Sequence, residues 1–309
     1  MDRSVRLGPL TLKNPLIAAS GCFGYGLEYG EVVDLSSLGG VCVKGLFLSE
    51  REGHPPPRIV ETPGGMLNAI GLQGIGVHRF VAERLPELRE RGATVLVNIC
   101  GVTLDEYVEV ARVLSDADGV AAIELNISCP NIKEGGIQFG CSLSGTYDVV
   151  SAVKKVTHLP VIPKLTPNVT SPSAFARAAE DAGADAISLV NTFLAMAIDV
   201  ETRRPRLSNI MGGLSGPAIR PIAVRMVYEC RCEVKIPIIG MGGIMDARDA
   251  LEFIIAGADA VQVGTANFVD PFVWGKILDG ISDYMTRHGI ARIADLVGTT
   301  DTSPAHSHA

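Results

Sequence analysis

A barrel of eight parallel strands alternating with eight helices is the fold this sequence predicts, and three observations predict it. Eight short apolar runs recur along the chain, at residues 15 to 20, 40 to 45, 94 to 99, 122 to 127, 160 to 165, 186 to 191, 236 to 241 and 260 to 265. Each is closed by a turn carrying Gly, Asn, Ser or Thr, and amphipathic stretches separate them. The runs are apolar on both faces, as in a parallel sheet whose crossover helices cover it. Eight such units in about 250 residues close into an α/β (β/α)8 TIM barrel. A doubly wound sheet would want GxGxxG after its first strand, and GCFGYG, GLQGIG and GMGGIM all miss that spacing.

Taken in order, residues 4 to 13 alternate apolar and polar around Gly8-Pro9 and read as an N-terminal β-hairpin capping one end of the barrel. Helical patterns follow at 77 to 91, 104 to 116, 143 to 156, 173 to 183, 217 to 230 and 247 to 258, several stopped by glycine just before the next strand. Between the second and third runs lies a long region with HPPPR at 54 to 58 and a glycine-rich stretch at 64 to 76, which places Asn68 in a glycine-flanked turn. Long loops at the catalytic end of a barrel are usually functional. His54 and His78 lie here at loop and helix-start positions and read as surface residues rather than bases. Residues 1 to 298 thus read as one barrel domain and 299 to 309 as a polar tail, whose His306 and His308 suit a frayed end better than a metal site.

Composition narrows the function. The net charge is −7 and no lysine or arginine run occurs, which argues against a nucleic-acid surface, since phosphate backbones demand clustered positive charge. The seven cysteines (22, 42, 100, 129, 141, 230 and 232) are odd in number and mostly embedded in apolar runs, as expected of reduced thiols. Cys230 and Cys232 form a CxC without further ligands nearby and read as structural. No apolar signal segment opens the chain and no 18-residue apolar run occurs, so a soluble, cytoplasmic protein with no membrane span is expected.

In such a barrel the chemistry sits where strands end. The residues there are Ser20, Lys44, Asn98, Asn126, Lys164, Asn191, Gly242 with Gly243, and Gly264 with Thr265. A buried unpaired amide costs roughly 1–3 kcal/mol and an unpaired ammonium more, so these side chains must meet partners. A structural network would satisfy them; so would a polar ligand, which their convergence on one mouth favours. The glycines after the last two runs leave backbone N–H groups where barrels of this kind hold phosphate, although tight turns alone would also use them. A flavin mononucleotide would engage that cradle with one end and want a cation such as Lys164 near its pyrimidine edge. After the fourth run comes SCPN, with Cys129, Pro130 and Asn131, then a loop whose Gly135 and Gly136 could hinge a lid. Cys129 is there either a base or one more small apolar residue.

The segment LNISCPN with KEGGIQFG behind it, NAIGLQG, VKG at Lys44, PKL at Lys164, LVNT, GGLSGPAI, GMGGI and VGTA resemble, in this order, the class 1 dihydroorotate dehydrogenases. The likeness runs from about Val5 to about Asp283, and GGIQFG is most similar to the NAD-linked class 1B branch. One departure is Gly74 after Gln73, where that branch often has Asn, which bears on the shape of the loop's exit. The resemblance implies oxidation of dihydroorotate to orotate in pyrimidine biosynthesis, with Cys129 as the base and one FMN per chain. FMN would be held by Ser20, Lys44, Gly45, Asn98, Asn126, Lys164, Val190, Gly216, Gly242, Gly243, Gly264 and Thr265. Substrate would meet Lys44, Asn68, Ala69, Ile70, Gly71, Leu72, Asn126, Asn191 and Thr192. A partner subunit carrying FAD and a [2Fe-2S] cluster would pass electrons to NAD, in a heterotetramer of two catalytic and two electron-transfer chains. The alternatives are a class 1A-type homodimer that reduces fumarate, a flavin-free phosphate-binding aldolase or isomerase with Lys164 as a Schiff base, and a non-catalytic binding barrel.

Overall fold

All eight apolar runs are strands of one closed parallel barrel in the computed structural model, which describes residues 1–128 and 139–303. In order around the barrel they are Leu16–Ala18, Gly40–Leu46, Val95–Ile99, Val120–Asn126, Val161–Lys164, Ile187–Leu189, Ile238–Met241 and Ala260–Val263. The last pairs with the first, Val261 opposite Leu16, which leaves no sheet edge. Their side chains are apolar on both faces because both faces are covered: Ile17, Val41, Val97, Ile123, Ile162, Ile239 and Val261 are all inaccessible to solvent. The second strand slips register against the third between Val43 and Leu46. That irregularity takes Lys44 and Gly45 out of the regular ladder, a device that re-aims side chains at barrel rims.

The helices follow the expected spans, with two differences. The pattern at 77 to 91 is two helices, Val77–Glu83 and Leu85–Glu90, because Pro86 has no N–H to donate and its ring would meet the carbonyl four residues back. The pattern at 217 to 230 opens with a 3-10 turn, Pro217–Ile219, before the helix Arg220–Glu233. A further helix, Val273–Arg287, buries a stripe of Val273, Trp274, Ile277, Leu278, Ile281 and Met285 at helical spacing.

The hairpin forms as expected, Val5–Leu7 against Leu10–Leu12, turning at Gly8 with φ +61°. A Cβ on Gly8 would lie 2.9 Å from that of Asp185, just ahead of the sixth strand, so the hairpin closes the end of the barrel opposite the site. At that end AGADA occurs twice, at 182 to 186 and 256 to 260. Each glycine ends a helix with positive φ, and each aspartate accepts the first N–H of a neighbouring strand while pairing with a cation from an earlier helix. Asp185 takes Val161 N–H and Lys154 Nζ, both at 2.7 Å. Asp259 takes Ile238 N–H at 2.8 Å and pairs with Arg231.

Above the mouth stands an antiparallel sheet that the sequence reading lacked. Ile59–Thr62, Gly65–Asn68, Met211–Ser215 and Phe193–Met196 are its strands, over a small apolar cluster of Val60, Leu67, Ala69 and Leu207. Asn68 is therefore the last residue of a strand, at the entry to the predicted turn rather than inside it; it pairs with Ile59 within a local hairpin and with Gly213, 145 positions away, beyond any local pattern. The start of the polar tail rests on the barrel, with Thr300 Oγ1 donating to Ile255 O at 2.8 Å, and His306 and His308 lie outside the described residues. Among the described residues no helix is long and apolar enough to cross a membrane.

Candidate active site

Successive strand residues face opposite ways, so Glu124 and Asn126 share one face of the fourth strand. Glu124 is wholly buried inside the barrel. Its carboxylate accepts hydrogen bonds from Asn98 Nδ2 (2.6 Å), Gln262 Nε2 (2.7 Å), Ser188 Oγ (2.9 Å) and Cys42 Sγ (3.3 Å). Lys164 Nζ lies 3.8 Å from Glu124 Oε2 and 3.4 Å from Ser20 Oγ. Burial alone would push the Glu124 carboxyl pKa up; the Lys164 ammonium and the donors from Gln262, Asn98 and Ser188 outweigh it and hold it below the usual range. The predicted residues Ser20, Asn98 and Lys164 thus meet, around a glutamate that was passed over because it stands inside an apolar run. A lone carboxylate in a strand covered on both faces was the available signal.

Nearer the mouth, Asn191 Nδ2 donates to Asn126 Oδ1 (3.3 Å), and Asn191 Oδ1 accepts Thr192 N–H (2.9 Å). These amides are braced by residues the sequence reading missed. Tyr107 Oη donates to Asn126 O (2.7 Å), Ser128 Oγ to Lys164 O (2.7 Å), and Asn168 Nδ2 to Thr192 O (3.1 Å). Thr192 in turn lies under the antiparallel sheet: a Cβ on Gly213 would come 2.1 Å from its Oγ1.

The turn from Asn68 to Leu72 is wound around residues 53 and 54. Asn68 Nδ2 donates to Gly213 O (3.3 Å), Ala69 N–H to Arg58 O (2.8 Å), and His54 N–H to Ile70 O (3.0 Å). His54 Nδ1 also donates to Ala69 O (3.1 Å), so this histidine positions the turn. Gly71 has φ +78°, and a Cβ there would sit 2.5 Å from His54 N. The exit at Gly74 is held by two hydrogen bonds with Arg51, and a Cβ on Gly74 would press to 3.1 Å from Gly45 O. Lys44 is half-buried, and burial followed by repulsion from Arg58 lowers its pKa against the opposing pull of Glu28. Two cations that repel each other beside a turn of backbone amides form a receptor for an anion.

The glycine cradle assembles from three loops. Gly216, Gly242 and Gly243 have φ +97°, +126° and +81°, conformations open to glycine without strain. A Cβ on Gly243 would lie 2.7 Å from Gly216 O, and one on Gly242 would lie 3.3 Å from Val190 Cγ2. Thr265 Oγ1 donates to Ser215 Oγ at 2.8 Å, and Gly264 packs against Cys22. The helix Ala247–Ala256 contributes less than expected to an anion site, because the Asp246 carboxylate already accepts its Arg248 and Asp249 N–H groups.

Cys129 and the proposed hinge at Gly135 and Gly136 lie outside the described residues. Burial pushes Cys22 up to about 11, Cys230 to about 12, Cys42 well above its usual value and Cys141 upward, so these four are not primed as thiolates. No cluster of His, Cys, Asp and Glu among the described residues could hold a metal ion.

A (β/α)8 barrel with a glycine cradle, a buried cation and paired amides converging on its strand ends defines a barrel of the enzyme class, with its polar groups gathered at the catalytic mouth. Comparison with known proteins specifies which kind. The family model for dihydroorotate dehydrogenase matches residues 4–285, and the chain belongs to that family. Similar curated proteins include those of Phocaeicola vulgatus (51% identical over 300 residues), Geotalea uraniireducens (52% over 301) and Thermoanaerobacter pseudethanolicus (52% over 299). Each match covers 97% of this chain and 99% of the relative, and each relative is named dihydroorotate dehydrogenase B (NAD(+)), catalytic subunit.

Proposed function

We propose that this chain is the catalytic subunit of an NAD-linked dihydroorotate dehydrogenase, oxidising dihydroorotate to orotate in pyrimidine biosynthesis. The structural observation that carries the reading is the meeting, at one barrel mouth, of the Gly216–Gly243 cradle, the Lys164–Glu124 pair and the Asn126–Asn191–Thr192 chain. FMN suits these residues: its phosphate fits a cradle that a Cβ would fill, and its pyrimidine edge suits the Lys164 ammonium, with Ser20, Lys44, Gly45, Asn98, Asn126, Val190, Gly242, Gly264 and Thr265 completing the set. Bound there, it would supply the hydride acceptor.

The chain's own residues account for the rest. Asn126, Asn191 and Thr192 offer the paired donors and acceptors that a ring with two amides requires. Lys44, with Arg58 behind it, attracts the substrate carboxylate, and the Asn68–Leu72 turn closes over it. Cys129 takes the C5 proton while the C6 hydride leaves; a thiol of ordinary pKa, about 8.5, is thiolate often enough at neutral pH to serve as base. Electrons would then pass through a partner chain carrying FAD and a [2Fe-2S] cluster to NAD, in an assembly of two catalytic and two electron-transfer chains in the cytoplasm.

The test is to purify the chain alone and with its co-purifying partner, identify the released cofactors, and follow dihydroorotate oxidation with NAD and with fumarate. The expected result is FMN on this chain and NAD reduction only with the partner. Fumarate-driven turnover by the chain alone would replace this reading with the class 1A one. A colourless protein would overturn both.

A further inference from the structure

Glu124 stands inside the barrel where neither water nor substrate reaches it. Its four neutral donors come from the second, third, sixth and eighth strands, and Lys164 approaches from the fifth. The carboxylate is thereby held from four sides and has little freedom of its own. Lys164 ends a long, flexible stem with only 5% of its surface exposed, and it has three N–H donors. One donates to Ser20 Oγ, and the ammonium forms an ion pair with Glu124 at 3.8 Å, which leaves donors for a ligand.

We propose that Glu124 is a positioning residue: it supplies the fixed counter-charge that anchors the Lys164 ammonium toward the flavin's pyrimidine edge, so that Glu124 tunes the flavin through Lys164. The proposal rests on the FMN reading given above. Without the carboxylate, the flexible Lys164 stem loses its fixed counter-charge and the ammonium is no longer held in place, so the flavin loses a positioned cation at the atoms where reduction places negative charge. A carboxylate that was merely a nearby negative charge would act in the opposite sense: its removal would leave the flavin more electron-poor.

Sulfite addition to the oxidised flavin reads this directly, because the adduct is anionic and is favoured by a cation at the pyrimidine edge. Flavin-loaded Glu124→Gln is expected to bind sulfite about tenfold or more weakly than wild type, with a lower midpoint potential. In a Lys164→Met background the same change is expected to add nothing. Unchanged or tighter sulfite binding by Glu124→Gln would overturn the assignment. Should that variant fail to hold flavin, Glu124→Asp retracts the carboxylate by one methylene with its charge kept; a loss of sulfite affinity of about two- to threefold supports the proposal, and no loss overturns it. A wild-type chain that neither carries nor takes up flavin would instead overturn the functional reading, and this inference with it.

Discussion

The roles assigned to single side chains separate cleanly by what each removal changes. Cys129→Ser keeps the cradle and the amides, so flavin content and orotate binding are expected to stay near wild type while the rate of flavin bleaching by dihydroorotate falls about a hundredfold or more in stopped flow. An unchanged bleaching rate would remove Cys129 from the mechanism. Lys164→Ala deletes the buried cation, and substoichiometric flavin after purification is the expected outcome. Glu124 also makes stability pH-dependent. Its folded pKa lies below its ordinary value of 4.5, so the unfolded chain takes up that proton first as the pH falls. The stabilisation is complete above that value and drains away as the pH drops through the folded pKa. Calorimetry from pH 7 down to about 3 is expected to show a steeper fall in melting temperature for wild type than for Glu124→Gln. Most of these residues were legible because barrels put chemistry at strand ends, and Ser20, Lys44, Asn98, Asn126 and Lys164 stand there in the sequence. Glu124 was hidden by its apolar neighbours, and Tyr107, Ser128 and Asn168 because bracing residues follow no spacing.

At the scale of elements, eight strands were readable because each is apolar on both faces and bounded by a turn, a signal contained within six residues. The antiparallel sheet was not. Its strands are only four or five residues long; Ile59–Thr62 and Gly65–Asn68 form a local hairpin across Pro63-Gly64, but the pairing of that hairpin with Met211–Ser215 spans a gap that no local periodicity covers. The split at Pro86 was visible in principle, since proline inside a helical pattern is a break. The cradle also tests at this scale. Gly216→Ala must accept φ +97° and bring a methyl to 2.6 Å from Gly65 Cα. Strain of about 1–3 kcal/mol is expected, with a melting temperature lower by several degrees and flavin that dissociates on dilution. Fluorescence of released flavin against protein concentration would measure it.

Across the whole molecule, the antiparallel sheet is tied to the barrel by Asn168, bonded to Thr192 O and Leu194 N–H, and by Thr265 on Ser215, so residues 1 to 298 are expected to melt in one transition, with far-UV and near-UV dichroism coincident. Two separated transitions would divide the domain. The sheet carries a further meaning. Gly65–Asn68, which leads into the proposed substrate turn, lies hydrogen-bonded beside Met211–Ser215, which leads into Gly216, the glycine proposed to meet phosphate. Gly65 is pressed so close that a Cβ on it would fall 1.9 Å from Ser215 O. On the proposed assignment the two ligands would grip opposite ends of one stiff plank, and whichever arrived first would already have quieted the far end for the other. Titration calorimetry with orotate is expected to give tighter binding to flavin-loaded protein than to protein stripped of flavin, and orotate should slow flavin loss by a matching factor, since a linkage of this kind runs equally in both directions.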